Sequence, residues 1–490
     1  MHRRTLLGAA AGASAALALG ATGAAARTAG AASGGVEAVL RGWFADTYRS
    51  LEAMVSPETG LPADNIALGD GAPQLSENTS STNIGAWLWA TVAAAGLGVI
   101  DGAEMHRRLD RAVATIERMQ RVHGFWLNWY ETHTGEVLEE WPGSGSPVTK
   151  LLSTVDNGWL DVGLRIAEDA DPLVAGRIRR MRRDIDWSFF YAPYDADDPE
   201  THPGHMHTGF WVDDDALTPY FYGALCSETR ISGYLGLGDG TVPGDHYWRM
   251  LRTLPPDRED QEMPPEGRWV TQDGVRRWAG HYTYRGRKHV PGWGGSMFEA
   301  LMPELFVPSA RWSPGSWGVS LRNHVLGQRD HGLHDAEYGY WGFSPSNVPE
   351  GGYQEYGVQY FGISNSGYCS NTDRTYVPYG SPSPEPSEYT NGVVTPHAAM
   401  LAMLMAPRDA MTNLRRLERD FDVYEEGYGF YDSVNVRTGT VSDRMLSLDQ
   451  GMVAAALAQM LSPGLLQRPF RQGAFARNLR PLISREDFGV

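Results

Sequence analysis

Residues 79–100 read TSSTNIGAWLWATVAAAGLGVI, and this stretch guides the interpretation of the rest of the chain. Within it, Thr82 and the residues that follow open a predicted helix that runs to Leu97. A helix is also predicted over 36–54, where apolar side chains recur at spacings of three and four residues. Further predicted helices cover 103–122, a segment from 153, 173–190, 227–235, 246–251, 296–301, 319–328, 396–404, 408–421 and 449–461. These helices, with few strands and no glycine fingerprint for a nucleotide, indicate an all-α protein.

Long loops rich in glycine, tryptophan and tyrosine connect the predicted helices. They cover 123–152, 191–225, 255–295, 329–394 and 424–448. Loops of this length inside a compact domain usually carry function. Paired helices with such loops between them suggest an α/α toroid, in which an outer ring of helices backs an inner ring and the loops at one end form a groove. No fixed repeat period favours a solenoid and no clear linker divides the chain, so we expect one domain over 35–490.

The composition argues against several kinds of partner. Of 490 residues, 42 are Lys or Arg and 59 are Asp or Glu, which gives a formal charge of −17. A polyanion such as DNA would be repelled, so we expect no nucleic-acid partner. The 16 tryptophans and 22 tyrosines have two interpretations. They either fill a large core or form binding surfaces for flat ligands such as sugars.

The N-terminal segment has the pattern of an export signal. Residues 1–26 contain no acidic residue, and Arg3 and Arg4 precede a run of Ala, Leu and Gly that ends in three alanines at 24–26. This pattern predicts a twin-arginine signal peptide and a secreted, extracytoplasmic protein rather than a membrane anchor. No later stretch is long and uncharged enough to span a bilayer, so we expect no stable membrane insertion after cleavage.

One short segment is rich in metal-ligand residue types. These residues are His202, His205, His207 and Asp213–Asp215. A Pro-Gly pair separates the histidines, so they do not share one helical face, and hydrolysis by two carboxylates requires no metal. We therefore expect no metal and no cofactor.

Cys226 and Cys369 can pair in an oxidising compartment only if the fold brings them within bridging distance.

Several loops place carboxylates among aromatic side chains. They are 124–135, 153–158, 227–236, 293–303 and 338–357. A glycosidase needs two carboxyl groups that flank the scissile bond, and aromatic platforms suit the apolar faces of sugars. Glu299 stands in an otherwise apolar string, FEALM. Because burial of an unpaired carboxylate is costly, Glu299 is either functional or satisfied within the structure.

Strings that run in order through most of the chain closely resemble the bacterial glucoamylase-like domain. They are TSSTNIGAWLWATVAAAGLGVI (79–100), GFWLNWYETHTGE (124–136), STVDNGWL (153–160), SETRISGYLGLGDGTVPGDHYW (227–248), WGGSMFEALMPELFVP (293–308), YGYWGFSPSN (338–347), GGYQEYGV (351–358), GVVTPHAAMLAM (392–403) and GFYDSVNVRTG (429–439). That family is similar to endo-β-1,2-glucanases and to the glucanase-like region of cyclic β-1,2-glucan synthase. The resemblance implies an (α/α)6 toroid with long aromatic-rich loops and glycoside hydrolase chemistry, without fixing the sugar.

The resemblance also implies site residues. Glu228 matches the position where the glucanases hold an essential Glu, Asp156 matches a second acidic position, and Glu299 matches the acid of a Met-Phe-Glu motif. We expect two of these three to be the catalytic pair. The expected sugar-binding residues are Tyr130, Glu131, Trp293, Trp341, Glu355 and Tyr356. The chain departs from the synthase pattern at 343–346, where Phe-Ser-Pro-Ser replaces a Ser-Glu-Ser stretch, which argues against transglycosylation.

We therefore expect a secreted glycoside hydrolase that cleaves a glucan or related polysaccharide, with a β-1,2 linkage among the candidates. One carboxylic acid would protonate the leaving oxygen and one carboxylate would activate water, with inversion favoured. The alternative is a non-catalytic carbohydrate-binding or cell-surface protein on the same barrel. Arg285 and His281 keep a lyase open as a third reading. The expected partner is an oligo- or polysaccharide, and the sequence leaves the oligomeric state open.

Overall fold

The computed structural model of the protein describes residues 35–69, 71–259, 261, 263–354, 357–363, 389 and 391–490. The predicted signal peptide, Glu355, Tyr356 and Cys369 lie outside these residues, whereas Cys226 is a buried thiol. Helices dominate the described residues. They are α1 (35–53), α2 (Ser81–Gly96), α3 (Gly102–Ile116), α4 (Thr154–Ala170), α5 (Pro172–Arg182), α6 (Arg230–Asp239), α7 (Asp245–Arg249), α8 (Met297–Leu301), α9 (Ser309–Trp312), α10 (Trp317–Asp330), α11 (Pro396–Ala402), α12 (Pro407–Asp420), α13 (Ser447–Leu461) and α14 (Gly473–Ser484).

One set of helices is buried on all faces. Most residues of α2, α4, α6, α8, α11 and α13 are inaccessible to solvent. Alanine and glycine are frequent in these helices, and small side chains allow close approach. At Gly85 of α2, an added Cβ would lie 2.4 Å from the Trp159 oxygen of α4, and at Gly163 of α4 it would lie 2.6 Å from the Gly85 oxygen. The two helix backbones are therefore in direct contact.

A second set of helices is amphipathic and packs outside the first. In α3, the buried residues include Leu109, Val113 and Ile116, which recur at spacings of three and four. Contacts pair α3 with α2, α5 with α4, α14 with α6, α10 with α8 and α12 with α11. Helix α1 lies against α2 and α13, where Tyr48 stacks on Trp87.

The buried helices follow one another in a cycle. Contacts link α2 to α4, α4 to α6, α8 to α11, α11 to α13, and α13 back to α2. Between α6 and α8, the Arg230 guanidinium donates hydrogen bonds of 2.8 Å to the Glu299 and Ala300 carbonyl oxygens. Closed packing of this kind is what a helical toroid requires, and the helix-rich architecture agrees with the predicted class in this respect.

Short strands connect the helices. They are β1 (Asn65–Ala67), β2 (Gln74–Leu75), β3 (Asn78–Ser80), β4 (Arg121–Val122), β5 (Phe125–Trp126), β6 (Trp129–Glu131), β7 (Leu151–Ser153), β8 (Met206–His207), β9 (Gly209–Trp211), β10 (Ala216–Leu217), β11 (Phe221–Tyr222), β12 (Glu266–Gln272), β13 (Val275–Tyr284), β14 (Arg287–His289), β15 (Ser346–Asn347), β16 (Tyr353–Gln354), β17 (Val393–Val394), β18 (Tyr424–Glu425), β19 (Gly429–Phe430), β20 (Val434–Asn435) and β21 (Arg444–Leu446). All named pairs are antiparallel; the first and last strands, β1 and β21, pair with each other.

Several elements differ from the sequence-based expectation, and a sheet and a helix are the largest of them. Residues 266–289, predicted as loop, form the antiparallel sheet β12-β13-β14. Its first turn is an Asp273-Gly274 pair in which both residues have positive φ, the conformation that two-residue hairpins favour. Helix α14 was also not predicted, and it covers α6 with Phe475 and Leu479. Among the described residues, we find no helix with the length and apolar character of a membrane span.

Candidate active site

The N-terminal ends of the buried helices lie at one end of the ring. Thr82 at the start of α2 donates to Asp156 at the start of α4, and Ser232 of α6 donates to the Thr154 oxygen over 2.8 Å. His397 of α11 faces Asp449 of α13, with Nδ1 and Oδ2 3.5 Å apart. Because helix N-termini favour negative charge, this end of the ring suits carboxylates.

Residues that join α8, α11, α13 and α2 complete this end. Met297 N–H donates to the Phe343 oxygen and Thr395 N–H to the Gly342 oxygen, both over 2.9 Å. One loop therefore bridges the starts of α8 and α11. Asp64 bridges α13 and α2, since its oxygen accepts from Ser447 N–H at 2.8 Å and its carboxylate accepts from Asn83 at 2.8 Å.

Asp156 is held at the start of α4 by several donors. Its carboxylate accepts from Thr82 Oγ1 at 2.5 Å, from Ser153 Oγ, and from the Asn128 amide at 3.0 Å. The Asn128 amide is oriented so that its oxygen also accepts from Trp129 Nε1 at 3.1 Å. Burial raises the pKa of Asp156, while the Ser153 and Thr82 hydroxyls oppose that rise. The residue as a whole is nevertheless partly exposed.

Glu228 precedes α6 and is also partly exposed. The Ser227 hydroxyl donates to its Oε2 at 2.7 Å. Two residues later, the Arg230 guanidinium is buried over the Trp317 ring at 5.0 Å and holds the Ser227 oxygen at 2.8 Å. This arginine fixes the backbone that carries Glu228, because the same group also binds two carbonyl oxygens of α8.

Glu299 lies within the wall of the ring, 5% exposed, and its carboxylate is used by its own loop. Oε1 accepts from Trp293 N–H at 2.5 Å, and Oε2 accepts from Gly294 N–H at 3.0 Å, Ser296 N–H at 2.9 Å and Ser296 Oγ at 3.0 Å. Ser296 in return caps the helix by accepting from Glu299 N–H at 3.2 Å. Burial raises the pKa of Glu299, and these N–H donors oppose the rise.

The three expected catalytic residues therefore have different surroundings. Asp156 and Glu228 are partly exposed and stand at the starts of adjacent buried helices, which Ser232 links. Glu299 is close to the chain before Glu228, since a Cβ on Gly292 would lie 2.9 Å from both the Cys226 oxygen and Glu299 Oε1. Both carboxylate oxygens of Glu299 already accept hydrogen bonds from the 292–296 loop. The residue therefore anchors that loop, and its oxygens are not available to a substrate.

The expected sugar-binding residues also differ in how far they are exposed to solvent. Tyr130 is fully buried, and its hydroxyl donates to the Gln120 oxygen and accepts from Leu127 N–H, each at 2.7 Å. Trp341 is 2% exposed. The rings of Tyr130 and Trp341 therefore both pack in the core and do not form a sugar-binding surface. Trp293 and Glu131 are partly exposed, and Glu131 lines a cavity of about 420 Å³ with Trp141.

A cluster that the sequence analysis did not select lies at the same end of the ring. His397, Asp432 and Asp449 are each 2–3% exposed, and one ligand atom from each lies within 4.8 Å of the others. Burial raises the pKa of Asp432 to about 6 and that of Asp449 well above its ordinary value. Burial also lowers the pKa of His397 to about 3. The sequence signal is weak, because three separate segments supply the cluster.

The histidine-rich segment over residues 202–215 is arranged differently from the His397 cluster. His205 Nε2 lies 3.0 Å from the Arg249 oxygen and His207 Nδ1 lies 2.6 Å from the Thr218 oxygen. One ring nitrogen of each histidine thus binds a backbone carbonyl. Across the described parts of the chain, the group with metal-ligand spacing is the His397 cluster instead.

Comparison with known proteins agrees with the resemblance seen in the sequence. Residues 267–474 match the family model described as "Putative glucoamylase". The chain is 22% identical to the cyclic β-(1,2)-glucan synthase NdvB of Rhizobium meliloti strain 1021 over 86% of its own length. The match spans 18% of the synthase, so this chain corresponds to less than a fifth of that protein.

Solved structures show the same fold. A putative glucoamylase from Bacteroides fragilis superposes with a TM-score of 0.65 at 18% identity, covering 91% of this chain and 96% of that one. An endo-β-1,2-glucanase from Chitinophaga pinensis, in complex with sophorotriose and glucose, has a TM-score of 0.63 at 16% identity, covering 90% and 97%. The resemblance to the glucoamylase-like family, the endo-β-1,2-glucanases and the glucan synthase is thereby confirmed.

Proposed function

We propose that the protein is a glycoside hydrolase that cleaves a β-1,2-linked glucan at the N-terminal end of the buried helices. The observation that carries the proposal is the placement of Asp156 and Glu228, two acidic residues that are not fully buried and stand at the starts of adjacent helices. Glycosidic hydrolysis needs two such groups. The similarity to a glucanase and to a glucan synthase supports a glucan substrate.

The pKa of Asp156 suggests how the two carboxyls share the acid and base roles. Burial raises that pKa although the Ser153 and Thr82 hydroxyls oppose the rise, and a carboxyl that keeps its proton suits protonation of the leaving oxygen. Glu228 is then the carboxylate that activates water. In an inverting enzyme the two carboxyl groups stand about 6.5–9.5 Å apart to admit that water, and we propose inversion.

Partly exposed side chains form the sugar-binding surface in this proposal. Trp293 adjoins the loop anchored by Glu299, and Glu131 is on β6, whose neighbour Asn128 donates to Asp156. Glu355 and Tyr356 stay in the proposal from the sequence, although they lie outside the described residues. Indole and phenol faces pack against the apolar faces of sugar rings, and carboxylates accept from hydroxyls.

We further propose the finer assignment of fold and location. The six buried helices, each faced by an amphipathic one among the described residues, support an (α/α)6 toroid within a single domain over 35–490.

Export with residues 1–26 as a twin-arginine signal peptide remains the proposal from the sequence. Detection of the cleaved protein outside the cytoplasm, and its loss when Arg3 and Arg4 are both changed to Lys, would test the export route.

The function is tested by incubating the purified protein with linkage-defined glucans and measuring new reducing ends. We expect release from β-1,2-glucan, and a loss of about 10²–10⁴-fold in Glu228→Gln and in Asp156→Asn. The matched control is Glu200→Gln, an exposed glutamate on a loop, which should keep full activity. Unfolding midpoints of the Glu228 variant should stay within a few degrees of the parent, since the amide is nearly isosteric.

Two results would contradict the proposal. Glucan binding without turnover by the parent protein would indicate the carbohydrate-binding alternative. Folded Glu228→Gln with near-normal turnover would remove Glu228 from the mechanism. Proton NMR of the first-formed anomer separately tests inversion.

A further inference from the structure

We propose that His397, Asp432 and Asp449 form a binding site for one divalent metal ion of the zinc class. The three side chains come from α11, from the segment between β19 and β20, and from the first turn of α13. A single ion there would join three elements at the end of the ring where the candidate active site lies. This inference does not depend on the proposed hydrolase activity.

The spacing of the ligand atoms fits one ion. One imidazole nitrogen and one oxygen from each carboxylate all lie within 4.8 Å of one another. Zinc binds nitrogen and carboxylate oxygen at about 2.0–2.2 Å, so two ligands of the same ion are separated by at most about 4.4 Å when they face each other across it. The three atoms thus lie close to the spacing that one ion requires.

Unsatisfied atoms point to a missing ligand. Within the described residues, His397 is 3% exposed and neither ring nitrogen makes a hydrogen bond, while its Nδ1 lies 3.5 Å from Asp449 Oδ2. Asp432 Oδ1 and Asp449 Oδ2 also have no donor there. Buried polar groups nearly always have partners, and a cation supplies one to all of these atoms together.

The charges of the cluster also favour a cation. Asp432 and Asp449 contribute carboxylate oxygens that lie within 4.8 Å of each other. Two adjacent buried carboxylates are stable only if they share a proton or bind a positive ion. A divalent ion neutralises the pair and leaves neutral His397 as a nitrogen ligand.

The ligand set selects the class of metal. Calcium and magnesium are bound by oxygen ligands, whereas an imidazole together with carboxylates suits zinc and its transition-metal neighbours. The second oxygen of Asp432 accepts from Asn347 N–H at 2.5 Å, and this hydrogen bond fixes the carboxylate in the way that outer partners orient metal ligands.

The test uses the untagged full chain, purified and freed of metal with a chelator. Addition of zinc chloride should restore one zinc per chain by elemental analysis after desalting. The unfolding midpoint should rise with the logarithm of free zinc, because the ion binds the folded state. Calcium chloride at the same concentrations should give no rise. A chain that retains no zinc, or that responds to calcium more strongly than to zinc, would overturn the proposal.

Variants separate this site from adventitious binding. His397→Gln and Asp449→Asn should both lose the bound zinc and the zinc-dependent rise in midpoint. His324→Gln is the matched control, because His324 is another buried imidazole, 1% exposed, that lies outside the cluster. The nearly isosteric Asp449→Asn covers the case in which His397→Gln does not fold. Equal zinc content in Asp449→Asn and the parent would refute the site.

Activity measurements distinguish this proposal from the proposed function. If zinc does not bind and Asp449→Asn still abolishes glucan cleavage, the carboxyl belongs to the chemistry and the metal site is refuted. If zinc binds as described and no glucan is cleaved, the metal site stands and the hydrolase proposal fails. Binding is measured without sugar, so the two results are independent.

Discussion

Replacement of Glu299 by Gln tests whether this residue anchors a loop or takes part in chemistry. The carboxylate accepts from three backbone N–H groups and one hydroxyl, using both oxygens. An amide has one oxygen, so in either orientation its NH2 group faces at least one backbone N–H donor. Each buried donor left without an acceptor costs about 1–3 kcal/mol.

We therefore expect Glu299→Gln to destabilise the 292–296 loop by about 1–3 kcal/mol. Since about 1.4 kcal/mol corresponds to a factor of ten, amide hydrogen exchange in peptides that cover this loop should accelerate by about fivefold to a hundredfold. Mass spectrometry of exchange at neutral pH measures this directly. Glu228→Gln is the comparison, because it should leave exchange in the same peptides unchanged while it removes turnover.

The opposite pattern would refute this reasoning. If Glu299→Gln leaves loop exchange and the unfolding midpoint at parental values and yet abolishes turnover, Glu299 is a member of the catalytic pair. The proposed assignment of Asp156 and Glu228 would then have to be revised. A variant that loses both loop protection and activity supports the anchoring role only if Glu299→Asp, which keeps the charge, regains part of each.

Three further perturbations have defined outcomes. Burial raises the pKa of Glu304 to about 8, so the folded state holds its proton longer than the unfolded state, and parental stability should fall between about pH 4.5 and 8. Glu304→Gln should flatten that fall in a series of unfolding midpoints. Gly163→Ala should lower the midpoint sharply because its Cβ meets backbone, whereas Gly176→Ala, in open space on α5, should raise it slightly. Glu486→Gln should cost about 3–5 kcal/mol in urea unfolding, because Arg252 is fully buried against it.

Sequence patterns predicted the helices better than the strands. Spacings of three and four located α1 and α3 within a few residues at their N-terminal ends, since these helices bury one face. The β12–β13 hairpin was missed, although its Asp273-Gly274 pair is the kind of dipeptide that forms tight hairpin turns. Helix α14 contains Pro481, and a proline inside a segment argues against an uninterrupted helix there.

The candidate site was predicted in part. Glu228 and Asp156 were predicted from their match to acidic positions of the glucanases, the structure places both at helix starts, and their catalytic role stays a prediction. Glu299 looked the same in sequence, and only its bonds to the 293–296 backbone show how a buried carboxylate is satisfied. His397, Asp432 and Asp449 were not found, because no local pattern shows that residues from three distant segments meet.

The contact between α13 and α2 has a consequence for biosynthesis. Helix α2 is made early and α13 near the end of the chain, and β1 and β21 pair across the same seam. Until the ribosome has released α13, the apolar faces of α2 have no complete partner, and long-range contacts of this kind form slowly. A nascent chain that stops before about residue 447 would therefore expose these surfaces to chaperones and proteases, even if its earlier helices have already formed.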